Sequence, residues 1–243
     1  AAISEPTPPS SVELREDDTI KFKGFNDDQI PRNTSVDVNI GTNYSPFGPQ
    51  DDRYRILVDP LFGVCDSNAK LTDKVTSFCF AVSNYTGFAT FNEYNERKGV
   101  SSSLSEVAVG TSHEKFTILS KRTVLVLEAV VLFTAIHRAN TQIHRLKLDM
   151  QGHELTTLKN IKSLLRESNL VVHVKSECFC PNENGLQIYQ IDNSCENISV
   201  VLQDAGYATK WECSAVEWGD VIAYKKGVGT DFLPDKAFKN GVM

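Results

Sequence analysis

Long apolar runs are missing from this chain. The most apolar stretch, Val124 to Ile136, is shorter than the roughly 20 residues a helix needs to cross a bilayer, and it carries Glu128, so no membrane span is expected. Basic residues are also in deficit. The 25 Lys and Arg face 31 Asp and Glu, for a formal net charge of -6 and a pI near 5.4. An acidic chain gains little from displacing the counterions of phosphates, so nucleic acid is not expected as a partner. Cys178 and Cys180 form a C-x-C with no second pair at zinc-finger spacing, so no zinc site is expected. No internal repeat is visible. The opening Ala1-Ala2-Ile3-Ser4-Glu5-Pro6 has no Met, no basic n-region and no apolar h-region, which reads as a processed or truncated chain.

What is present suits one sizeable globular domain. The 243 residues are 41% hydrophobic and 23% charged. The Pro-, Ser- and acid-rich start reads as a linker remnant over residues 1–30, followed by a domain over 31–228 and a tail over 229–243. The 6 cysteines (Cys65, Cys79, Cys178, Cys180, Cys195, Cys213) form an even set that permits disulfides. Glycosylation sequons start at Asn33, Asn43, Asn84 and Asn197. Together these features favour a secretory lumen over the cytoplasm and a glycoprotein.

Short Val- and Ile-rich runs bounded by turn residues read as strands: Ser35 to Ile40, Arg55 to Asp59, Val75 to Val82, Leu146 to Asp149, Asn169 to Val174 and Asp220 to Tyr224. Glu154 to Glu167 places Leu155, Leu158, Ile161, Leu164 and Leu165 on one helical face. Leu127 to Ala139 and Ser199 to Gly206 read as further helices, the last ending at a glycine cap. Strands alternating with helices predict an α/β sheet, and ligands of such sheets bind beyond the carboxyl ends of the strands.

The residues after each strand are therefore the candidates. Asn39-Ile40-Gly41-Thr42-Asn43 follows the first strand, and its Gly permits close backbone approach. Asp59 follows the second, and its separation from Gly41 suits an acid that binds ribose hydroxyls. Taken alone, the Gly41 segment reads better as an ordinary strand-to-loop turn, and Asp59-Pro60 also fits a common Asp-Pro turn. Asp149, Gly152, His153 and Glu154 link the fourth strand to the helix after it. An acid in a first helical turn also serves simply to stabilise the helix.

Lys147-Leu148-Asp149-Met150-Gln151-Gly152-His153-Glu154 resembles the K-I-D-x-E-G-x-E signature of the FkbM-type methyltransferases. Other segments agree in order. Asn39 to Ser45 is similar to that family's D-x-G-x-N-x-G cofactor loop, Leu57-Val58-Asp59-Pro60 to its strand ending in E-P, and Ala81-Val82-Ser83-Asn84 with Gly87 to its A-x-S-x-x-x-G segment. Ser101-Ser102-Ser103-Leu104 resembles its serine-rich stretch, and Gly206-Tyr207 its late G-Y. The likeness spans roughly residues 33 to 226. It implies a Rossmann-like doubly wound sheet of the class I methyltransferase type, mostly parallel, with an antiparallel strand near the C-terminus.

The resemblance also implies a function. That is transfer of a methyl group from S-adenosylmethionine to a hydroxyl of a sugar, glycan or small natural product. Asn39, Gly41, Asn43, Asp59 and Ser102 would bind the cofactor, with Gly41 and Asn43 at its methionine part and Asp59 at its ribose. Asp149 would lie near the methyl group and the acceptor. His153 has the unperturbed pKa suited to a base, and Glu154 would orient it. No metal is assigned. The chain departs from the family at Asn39, which stands for an acid unless Asp37 serves in a shifted register, at Ser45 for a Gly, and at Gln151 for a Glu. These losses motivate a rival, a catalytically inactive module of the same fold with a binding or trafficking role. A dinucleotide or nucleotide-sugar enzyme would need a fuller glycine pattern. A glycan on Asn43 would obstruct the proposed cofactor loop.

Overall fold

The computed structural model describes residues 25, 27–43, 53–95, 101–111, 114–181, 185–213, 217–229 and 231–233. Tyr44, Ser45, most of the N-terminal linker and most of the C-terminal tail lie outside these residues. The strands are β1 (Ser35–Ile40), β2 (Tyr54–Asp59), β3 (Val75–Cys79), β4 (Ala81–Ser83), β5 (Gly87–Tyr94), β6 (Ile118–Glu128), β7 (Gln142–Leu148), β8 (Val171–Phe179), β9 (Tyr207–Cys213) and β10 (Trp218–Lys225). The helices are α1 (Phe62–Ala69), α2 (Ala129–Arg138), α3 (Glu154–Glu167) and α4 (Cys195–Asp204).

The main sheet has 7 strands in the order β3-β2-β1-β7-β8-β10-β9. Every neighbouring pair is parallel except those of β10, which runs antiparallel to both β8 and β9. This is an α/β fold with a mostly parallel mixed sheet, compatible with a Rossmann-like architecture. The chain winds outward from β1 through β2 to β3, then returns to β7 on the other side of β1. The order therefore reverses between β1 and β7, where open α/β sheets bind their ligands.

One face of the sheet is apolar. Val36, Val38, Ile40, Ile56, Val58, Phe78, Leu146, Leu148, Val174, Val221 and Ala223 join the inward residues of α2, α3 and α4 in the largest core cluster. Phe25 packs against it, and Ile30 is part of it. Three helix ends in this layer are tied by side chains from elsewhere. Asn160 of α3 accepts a hydrogen bond from the Val130 amide at the start of α2. The Lys225 ammonium donates to the carbonyls of Leu165, Arg166 and Ala205 where α3 and α4 end.

The opposite face is polar, and the shared register arranges it in rows. Arg55, Asp37, Arg145, His173 and Tyr224 form one row across β2, β1, β7, β8 and β10. Leu57, Asn39, Lys147, Lys175, Ile222 and Lys210 form the next, which extends to β9. At the carboxyl end of the parallel strands Asp59 lies on β2. Glu177, Asp220 and Glu212 are register partners across β8, β10 and β9, and Asp149 directly follows β7. Asp37 pairs with the buried Arg145 and lies 3.6 Å from Arg53. Lys147 pairs with Asp149 at 3.1 Å and Lys175 with Asp220 at 2.9 Å. A basic row thus backs an acidic one.

Helix α1 lies on this polar face beside β2 and β3, joined to β3 by the Cys65–Cys79 disulfide. Cys178–Cys195 and Cys180–Cys213 tie the end of β8 to α4 and β9. A β-bulge between Val36 and Asp37 leaves His144 of β7 without a register partner on β1.

Several elements differ from the sequence reading. The run Val75 to Val82 is not one strand. It breaks at Phe80, and β4 leaves for a second sheet with order β4-β6-β5. The apolar run from Val124 crosses from β6 into α2, because Val124 and Val126 face the small core under this second sheet while Leu132, Phe133 and Ile136 face the main one. Helix α4 begins earlier than read, at Cys195, behind an N-cap Ser194 whose hydroxyl accepts from the Asn197 amide.

Candidate functional site

The two segments read as site elements meet at the point of strand-order reversal. The Gly41 amide donates to Val58 O, and the Asp149 amide donates to Ile40 O. Gly41 has φ +78, and a β-carbon there would lie 1.8 Å from the Asp149 carbonyl oxygen. The close approach that requires glycine is thus to the Asp149 turn of the chain itself.

Asp59 closes one side of this junction. It is 5% exposed. Its Oδ2 accepts from the Asn43 amide at 2.8 Å and its Oδ1 from the Leu61 amide at 3.0 Å. Burial raises its pKa to about 6 against the opposing pull of these amides, and Asp149 adds to the rise. Asn43 is held at φ 47. Thr42 lies between Asp59 and the Asn68 carboxamide of α1, which donates to its hydroxyl at 2.7 Å.

Asn39 is fully buried on the same sheet face as Asp59 and Lys147. Among the described residues neither its Nδ2 nor its Oδ1 has a hydrogen-bond partner. A buried carboxamide left unpaired costs about 1–3 kcal/mol per group. Asp37, the alternative acid of this strand, is committed to Arg145 and Arg53.

The Asp149–Glu154 turn is built on its own hydrogen bonds. Gln151 and Gly152 both have positive φ, at 57° and 109°. Glu154 is completely buried at the start of α3, and its two oxygens accept the Met150 and Gly152 amides. Burial raises its pKa to about 7, with these amides opposing and Asp149 adding. The Gln151 Nε2 donates at 2.9 Å to Asp149 Oδ1 and at 2.9 Å to Glu177 Oε2. One carboxamide thus bridges two carboxylates. The Tyr189 hydroxyl donates to Ser101 O at 2.6 Å and lies 3.3 Å from Gln151 Oε1.

His153 sits between two hydroxyls. Ser105 Oγ is 3.0 Å from its Nε2 and Ser83 Oγ is 3.4 Å from its Nδ1. Burial lowers its pKa to about 4, so the ring is neutral at neutral pH. Ser103 Oγ donates to Gln151 O at 2.7 Å, which anchors the serine-rich segment against the turn. The Ser102 hydroxyl accepts from the Tyr94 amide at 3.2 Å.

The structure therefore gathers Asn39, Gly41, Asn43, Asp59, Asp149, His153 and Glu154 around the β1–β7 junction. It sets Ser102 among the bonds that tie the serine segment to β5. Sequence reasoning missed Glu177, because the strand was read as ending at Val174. Its signal was the continuing alternation His173, Lys175, Glu177. Among the sequons, Asn33, Asn84 and Asn197 are exposed, while Asn43 is half-buried in the Asp59 loop. No protein-family model matches the chain, and no curated protein matches it at a significant level.

Proposed function

We propose that this chain is an S-adenosylmethionine-dependent O-methyltransferase with a class I methyltransferase-type sheet, acting on a hydroxyl of a saccharide or small natural product. The observation that carries the reading is the contact of the Gly41 and Asp149 turns where the strand order reverses, with Asp59 beside them. The antiparallel β10 near the C-terminus suits that sheet type.

The unpartnered Asn39 carboxamide is the test of fit. It offers a buried donor and a buried acceptor, which match the carboxylate and ammonium of a methionine moiety. S-adenosylmethionine supplies a methyl group already activated on a sulfonium, so the protein's task is mainly alignment. Asn39, Gly41 and Asn43 hold the amino-acid part and Asp59 the ribose. Ser102 keeps the serine segment in place beside them. Asp149 lines the reacting side, and neutral His153 orders the Ser83 and Ser105 hydroxyls there. The three disulfides and the exposed sequons support a secretory compartment.

A second reading, an inactive module of the same fold, is favoured by one observation. The chain's own amides already occupy both oxygens of Asp59 and of Glu154. Calorimetry and melting with S-adenosylmethionine separate the two. Heat of binding and a rise in Tm are expected, together with methylated products by mass spectrometry from a panel of saccharides and small hydroxyl compounds. Silence in all three measurements assigns the chain to the module. For the catalytic part, Asp149→Asn and His153→Ala are each expected to lower turnover, and unchanged turnover in both removes that assignment.

A further inference from the structure

We propose that Glu177, at the carboxyl end of β8, takes the proton of the acceptor hydroxyl, and that Gln151 positions it. The inference rests on the methyltransferase reading and adds a base from outside the sequence signature.

The groups gathered at the Gln151 turn differ in what they have left to offer. Both oxygens of Asp59 and both of Glu154 accept backbone amides. Asp149 gives Oδ1 to Gln151 and Oδ2 to Lys147. Both nitrogens of His153 face serine hydroxyls. Glu177 gives only Oε2, to Gln151, and among the described residues nothing donates to its Oε1. The residue as a whole is half-buried. Asn39, fully buried and without a partner on the same sheet face, is an independent sign that a ligand belongs at this end of the sheet.

The charges around Glu177 bear on when it acts. Lys147 acts on it from β7, Asp149 from the turn just after β7, Glu154 from α3, Asp220 from β10 and Tyr189 from the loop before α4. Burial and the surrounding carboxylates push the Glu177 pKa well above its ordinary value. A positive charge held near Asp149 would oppose the influence of those carboxylates and favour the ionised form of Glu177. As a carboxylate it accepts the acceptor's hydroxyl proton. The acceptor oxygen bonds to the methyl carbon, and the carbon–sulfur electron pair leaves with sulfur. With the positive charge gone, Glu177 keeps the proton it received. The Gln151 amide, with one N–H to each carboxylate, holds Glu177 beside Asp149 throughout.

Calorimetry in buffers of different ionisation heat counts protons released on binding. Measured across pH, the wild-type protein is expected to show a window in which it releases more protons with S-adenosylmethionine than with uncharged-sulfur S-adenosylhomocysteine. This measurement needs no variant. Glu177→Gln, isosteric and checked for folding by circular dichroism, should abolish that difference, keep affinity for both ligands within a few-fold, and lower turnover by about 100-fold or more. Gln151→Met removes the donors and should move the pH midpoint of proton release upward. Binding of both ligands with equal proton release overturns the role of Glu177 alone, as does a Glu177→Gln protein with wild-type turnover and pH profile. Failure of either ligand to bind overturns the methyltransferase reading and this inference with it.

Discussion

The α-carbon of Gly41 faces the carbonyl oxygen of Asp149 so closely that a β-carbon would stand 1.8 Å from it. The obstacle is backbone rather than the end of a flexible side chain, and φ at Gly41 is +78. Gly41→Ala therefore combines a left-handed backbone penalty with a clash that moves the Asp149 turn. A loss of at least about 3 kcal/mol is expected in urea unfolding. A loss below about 1 kcal/mol would mean that the two turns separate readily.

Asp37 neutralises part of a buried cationic row. It pairs with Arg145 and sits beside Arg53, and Arg55 is its register partner on β2. Asp37→Asn keeps the shape but removes the charge that those guanidiniums face. Breaking one side of a buried pair costs about 3–5 kcal/mol, and that loss is expected in the unfolding free energy. Stability equal to wild type would show that other groups balance the row.

Stability against pH should show two opposing trends. The Asp59 pKa rises from 3.8 to about 6 and that of Glu154 from 4.5 to about 7 on folding, so from about pH 4 to 7 the folded protein keeps protons the unfolded chain has lost. These groups make stability fall as pH rises. His153 and His173 drop from 6.5 to about 4, so from about pH 4 to 6.5 the unfolded chain holds the extra protons, and stability rises with pH. A shallow Tm profile up to about pH 6.5 is expected, followed by a decline. In a His153→Gln, His173→Gln variant the decline should begin near pH 4, and a profile parallel to wild type would refute the assignment.

Lys225 ties two helix ends to the sheet through a single ammonium. Lys225→Met retains the stem and removes every donor, leaving carbonyls of α3 and α4 unpaired. A loss of about 2–3 kcal/mol is expected, read as a lower urea midpoint at unchanged slope. Lys225→Arg should recover part of it.

Much of the main sheet was legible because its strands alternate or run apolar between clear turn residues. Ser35 to Ile40 is the clearest case, since Val36, Val38 and Ile40 mark the core face by themselves. The second sheet was not legible. Gly87 to Tyr94 carries only weak alternation, and Val124 to Leu127 is as compatible with a helix as with a strand until its packing partner is known. Helix α1 escaped notice because its sequence is barely amphipathic and its anchor is the Cys65–Cys79 bond.

The site divided along a similar line. Gly41, Asp59 and Asp149 were visible as strand-end residues, but the contact between Gly41 and Asp149 depends on register across β1 and β7, which no local pattern encodes. Gln151 read as a lost charge. In the fold its gain is two donors, set between carboxylates that a third acid would repel.

The bulge at His144 has a consequence for how this protein tolerates change. Ile143 shares the apolar core with Leu146 and Leu148, an odd step followed by an even one, so β7 reverses its alternation at that point. Upstream and downstream halves of the strand are thereby out of phase by one residue. Loss of the His144 codon would set Arg145 directly after Ile143, restoring regular alternation with Arg145 and Lys147 still on the polar face and Leu146 and Leu148 still in the core. An in-frame deletion of His144 would straighten β7 without exchanging inside for outside, so the bulge marks a position where the strand can lose a residue and keep both its faces.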